Sequence, residues 1–154
     1  MITLYLVSKS VLDKPLLYLS EFIEKNKALY YDNLMAAREH NDLTRWIKFF
    51  LVAVHETAEK GCQTLSKIIE YKHRVEKENL STLGKRIPSA QKLFFALFSK
   101  PVLQAKDVEE IIGLSPKAVN DLLRVFAGLG ILKEVTGFQR NRVFVFHDYI
   151  EMFK

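Results

Sequence analysis

Lys117, Asn120 and Arg124 recur at helical spacing in a segment whose other positions, Val119, Leu122, Leu123 and Phe126, are apolar. Such a pattern puts the polar groups on the outward face of an amphipathic helix. Lysine and arginine neutralise phosphate, and asparagine pairs with base edges. With Arg140 and Arg142 further along, these residues form a candidate set for contacting double-stranded DNA. Asp121 and Glu134 set negative charge among them. The competing reading is a small domain that packs against protein and never meets DNA.

The elements that must position this set are legible around it. Residues 105–112 (Ala-Lys-Asp-Val-Glu-Glu-Ile-Ile) predict a helix, Gly113-Leu114-Ser115 a turn, and Pro116 to about Ala127 a second helix. Ser115 is an N-cap type, followed by proline at the first helical position. Ile131–Val135 and Arg142–Phe146 are β-rich runs joined by residues 136–141, where Gly137 suits a turn. Gly128-Leu129-Gly130 follows a helix and leads into a strand, so it reads as a helix stop and not as a dinucleotide loop. Helix, tight turn, helix and basic-tipped hairpin is the order of a winged helix-turn-helix. There the second helix enters the major groove and the wing meets adjacent phosphates. Ile87-Pro88-Ser89 opens a preceding helix, Ala90 to Ser99, and Pro101-Val102-Leu103 reads as a short strand closing the wing sheet.

Upstream, helical periodicity runs nearly throughout: Ile2 to Ser10, Pro15 to Ile23, Ala28 to Glu39, and a long helix capped by Asp42 that continues, or restarts after Gly61, as far as Val75. The polar stretch from Glu76 to Thr82 is the expected domain boundary. The expected organisation is therefore a mainly α fold, with a helical domain over residues 1–80 and a winged helix-turn-helix domain with a small β-hairpin over residues 84–154. Residues 1–83 carry 12 Lys and Arg against 11 Asp and Glu, and residues 84–154 carry 11 against 7, so most of the net charge of +5 accompanies the DNA-reading elements. That excess is modest, and predicts weak, salt-sensitive binding unless the chain dimerises.

Cys62 is the single cysteine, which excludes an internal disulfide and points to a reducing cytoplasm. No apolar run is longer than the six residues of Phe49 to Val54, far shorter than a membrane span, and the opening residues lack the features of a signal peptide. His55-Glu56-Thr57-Ala58-Glu59 starts like a helical zinc-protease motif but carries Glu59 where a second histidine is required, so no metal is expected. Ala58, Cys62, Leu65, Ile69, Lys72 and Val75 approximate a seam at helical spacing. Burial within the monomer, Cys62 included, is the favoured expectation, and pairing in a homodimer the alternative.

Several segments resemble one known family. Lys14-Pro15-Leu16-Leu17-Tyr18-Leu19-Ser20, Glu24-Lys25-Asn26-Lys27, Tyr30-Tyr31-Asp32-Asn33-Leu34, Trp46-Ile47-Lys48-Phe49-Phe50-Leu51 and Glu56-Thr57-Ala58 are similar to the C-terminal helices of Fic proteins, the family named for filamentation induced by cAMP. Gly130-Ile131-Leu132-Lys133-Glu134, Thr136-Gly137 and Arg140-Asn141-Arg142 resemble the winged-helix tail of many bacterial members. The resemblance implies descent from enzymes that transfer AMP from ATP to a protein hydroxyl. Their catalytic His-Pro-Phe and Gly-Asn-Gly-Arg loop is absent from this sequence, and in relatives it lies just upstream of the helix matching Ile2 to Ser10. The implication is a non-catalytic C-terminal piece that needs no cofactor, with ATP the substrate of a longer parent. A helix that enters its apolar run at Ile2 without a cap is consistent with that. Tyr18, Tyr30 and Tyr31 match family positions near the nucleotide pocket; the alternative is aromatic packing between helices. Trp46 is expected in the core.

Overall fold

A computed structural model of the chain describes residues 5, 7–10, 18–138 and 141–153. The fold is mainly helical with one small three-stranded antiparallel sheet. By internal contact the chain divides into two compact units, residues 1–63 and 64–154.

In the first unit, α1 (Ser20–Lys25) and α2 (Lys27–His40) precede the long α3 (Leu43–Arg74). Asn41 takes a left-handed conformation after α2, and Asp42 Oδ1 then accepts the Arg45 N–H at 3.0 Å, the capping bond its side chain type predicts. The described residues bury Leu19, Phe49 and Ala53, with Phe22, Ile23, Phe50 and Val54 partly covered beside them. The expected starts of the first two helices, at Ile2 and Pro15, lie outside the described residues. Helix α3 passes through Gly61 without interruption.

The second unit begins within α3, and the chain then continues through a π-helical turn (Val75–Asn79) and a 3-10 segment (Leu80–Arg86). The division thus falls before the polar stretch 76–82 and not within it. Composition pointed to that stretch, yet Tyr71 and Val75 before it and Leu80 inside it are buried in the C-terminal core. Helix α4 (Ile87–Ser99) follows with proline in its first turn, then β1 (Val102–Gln104) and α5 (Ala105–Ile112). Asp107 starts α5 by accepting the Gln104 N–H at 2.7 Å, while Lys100 Nζ sits 2.6 Å from its other oxygen. The Lys100 ammonium, and then that backbone bond, lower the carboxyl below its usual range.

Helix α5 ends at Gly113, whose φ of 76° is open to glycine and strained for other residues. Two residues later Ser115 Oγ accepts the Ala118 N–H and Pro116 opens α6 (Pro116–Gly128). Strands β2 (Lys133–Glu134) and β3 (Val143–Val145) complete the sheet in the order β1-β3-β2, with Phe144 opposite both Leu103 and Glu134. Helix α7 (His147–Glu151) closes the unit. Phe146, fully buried, gathers an aromatic cluster of Tyr71, Phe94, Phe98 and Tyr149, with ring centroids between 5.3 and 5.9 Å from its own. Among the described residues no helix is long and apolar enough to cross a membrane.

Candidate nucleic-acid interface

Helix α6 divides its surface in two. Val119, Leu122, Leu123 and Phe126 are buried, while Lys117, Asn120, Asp121 and Arg124 share the opposite face one and two turns apart. Lys117 is exposed. Arg124 keeps 71% of its side chain in solvent, with Nη1 3.6 Å from Asp121 Oδ1. An ion pair that open is weak and screened, so the guanidinium remains accessible to an anion.

Asn120 and Arg142 behave differently. Asn120 Nδ2 donates to the Pro116 carbonyl at 2.8 Å, and Arg142 Nη2 donates to Asn120 Oδ1 at 2.9 Å. Arg142 Nη1 also lies 3.7 Å from Glu134 Oε2, its guanidinium stands 5.6 Å from the Phe144 ring centroid, and only 24% of the side chain is exposed. The sequence reading set both residues among outward contacts; their polar groups are instead engaged with each other. An asparagine inside a helix readily returns its amide to the carbonyl four residues back, which leaves its oxygen aimed at the guanidinium. A hydrogen bond of that charged kind contributes roughly 1.5–3 kcal/mol. Arg142 therefore braces α6 against β2 and β3. Arg140 lies outside the described residues.

Between α6 and the β2–β3 connection is a shallow concavity of about 690 Å³ lined by Arg124, Glu134, Gly137, Phe138 and Arg142. Phe138, 64% exposed, was not singled out from the sequence. The connection is held at its base by Val135 N–H donating to the Val143 carbonyl at 3.0 Å and by Val143 N–H donating to Thr136 Oγ1 at 3.1 Å. Chemically this surface offers the accessible Arg124 guanidinium, an exposed ring and a hydrogen-bonded base, with Arg142 already engaged and Glu134 beside it, a combination that can meet an anion through Arg124.

The three tyrosines are not assembled into one pocket. Tyr30 packs its ring against Tyr31, Trp46 and Phe49 at 5.4, 5.5 and 6.3 Å. Tyr31 is largely exposed, and Trp46 is half-buried, not fully enclosed as expected. Tyr18 lines a separate hollow of about 140 Å³ with Glu21, Lys25, Asn26, Glu56 and Lys60. Glu21 bridges Lys25 at 2.8 Å and Lys60 at 2.7 Å, and these two cations hold its carboxyl down to about 2. With two carboxylates beside two lysines, the hollow has no surplus positive charge for phosphate.

His55 and Glu59 stand 4.0 Å apart on an exposed face of α3, and among the described residues no three His, Cys, Asp or Glu converge on a metal position. The expectation that Cys62, Leu65 and Ile69 are buried within the monomer is corrected: all three are exposed. Helix α3 buries another face, that of Phe49, Ala53 and Tyr71, and of the expected seam Val75, just beyond the helix, is buried. No known protein-family model matches the chain.

Proposed function

We propose that the C-terminal unit is a winged helix-turn-helix that binds double-stranded DNA through the exposed face of α6, with the β2–β3 connection as its wing. The observation that carries this reading is the combination of a solvent-facing Lys117 and Arg124 on the second helix of a tight helix–turn–helix with a hairpin braced beside it through Asn120 and Arg142. Lys117 and Arg124 then supply the direct contacts, and Asn120 and Arg142 keep the helix and the wing in register. Phosphate neutralisation makes such binding fall steeply with salt.

The test is fluorescence anisotropy of a labelled mixed-sequence duplex at low salt. Binding is expected at micromolar protein, and the double charge reversal K117E/R124E lowers affinity by at least about tenfold, since two phosphate-facing cations are lost. Unchanged binding after that reversal, or no binding by the native chain, defeats the reading.

A second reading is a protein-docking module with no DNA role. It draws support from Asp121 beside Arg124 and Glu134 beside Arg142, which partly neutralise the concavity. The likeness of the quoted segments to Fic proteins supports one further element: the chain as a non-catalytic C-terminal part of an AMP-transferring enzyme, with ATP used only by a longer parent. Label appearing on protein after incubation with labelled ATP would contradict it.

A further inference from the structure

Helix α3 carries a second apolar stripe that nothing among the described residues covers. Ile47, Leu51, Leu65 and Ile69 are 53%, 59%, 56% and 54% exposed, and Ala58 and Cys62 between them are exposed as well. At 3.6 residues per turn these six positions fall within an arc of about 60° and run for about 33 Å. A long, narrow stripe of this kind is the surface of a helix that pairs with another helix.

We propose that the stripe is a homodimer seam in which two copies of α3 lie antiparallel about a two-fold axis at Ala58. The spacing of the apolar residues is symmetric about that position. Antiparallel pairing sets Ile47 against the partner's Ile69, Leu51 against the partner's Leu65, Val54 against the partner's Cys62, and the small Ala58 against itself at the crossing point. The flanking charges agree. Lys48, His55, Glu59 and Glu70 lie along one edge of the stripe, and a two-fold axis of this kind brings that edge against its own reverse. Lys48 then meets the partner's Glu70, and His55 meets the partner's Glu59, twice each. Neither Lys48 nor Glu70 has an ion-pair partner among the described residues. A parallel pair would instead set this edge against Thr57, Gly61 and Ile68, leaving the charges unmatched. The seam does not depend on what α6 binds.

Sedimentation of the full chain tests this. At tens of micromolar the expected mass is twice the 17.9 kDa of one chain. Leu65→Glu returns it to the monomer mass with an unchanged circular dichroism spectrum, because the position is exposed. Lys48→Glu weakens association by at least about tenfold, and K48E/E70K restores it. Cysteine oxidation reads the direction. Native Cys62 lies four residues from the axis, so the two thiols are about 12 Å apart along the helices and do not cross-link, whereas A58C/C62S does. A chain that stays monomeric, whether residues 1–17 or another protein cover the stripe, overturns the proposal. So does a dimer indifferent to Leu65→Glu, or spontaneous cross-linking through native Cys62.

Discussion

Residues 64–154 gather seventeen buried side chains, from Tyr71 to Phe146, into one contiguous core, whereas the described part of residues 1–63 buries Leu19, Phe49 and Ala53 among apolar residues. The contrast is sharpest in the helices. Helix α6 buries four apolar side chains over 13 residues. Helix α2 is of similar length, and its one buried residue is Asn33, which donates to the Leu29 carbonyl and accepts from Arg45 Nε. Both regions have helical periodicity, but among the described residues only the second converts it into an enclosed core. Periodicity makes a helix amphipathic; enclosure needs further elements on the apolar side, which the sheet and α4 to α6 provide in the second unit.

The largest expected effect separates the two regions outright. A chain trimmed to residues 64–154 is expected to unfold cooperatively in urea with a dispersed amide spectrum, while residues 1–63 alone give a broad, non-cooperative melt. Equal cooperativity in both pieces would break the comparison. Single substitutions scale the difference: Phe126→Ala should destabilise the full chain by about 3–5 kcal/mol, the range for deleting a fully buried aromatic ring. Leu19→Ala, in a much smaller cluster, is expected to cost no more than about 2 kcal/mol, the low end for such truncations. Both are read from urea midpoints at constant slope.

The smallest effect is a pH dependence confined to the C-terminal core. Burial, followed by the Asp148 carboxylate, raises Tyr71 from its usual 10.0 to about 12. Its phenol is therefore held neutral in the folded state after the unfolded chain would ionise it. Its contribution is complete below pH 10 and is lost as the pH rises towards about 12. Melting midpoints measured across that window should decline less in Tyr71→Phe than in the native chain, and parallel curves would exclude Tyr71 as the cause.

What the sequence made legible follows the same division. The α5–turn–α6 segment was readable to within a residue because Gly113, Ser115 and Pro116 mark its boundaries by local backbone chemistry. Strand pairing was readable in kind, though β2 and β3 are shorter than the β-rich runs that contain them. The two apolar stripes of α3 obey the same period, so no count of spacings tells which one the monomer buries. The apolar period reached Val75, which is buried, whereas Leu80 was hidden by the polar residues around it. The Asn120–Arg142 bond joins positions 22 residues apart, and only folding brings them together. Single residue types had suggested what those two side chains could touch, and the geometry decided what they do touch.

That bond also determines how freely the surface of α6 can vary. With Asn120 and Arg142 committed to architecture, Lys117 and Arg124 are the basic positions on that face where substitutions leave the scaffold untouched. Specificity for whatever the helix meets can thus drift at two residues while the other two stay under the constraint of folding. A collection of variants selected for folding alone would be tolerant at the first pair and intolerant at the second.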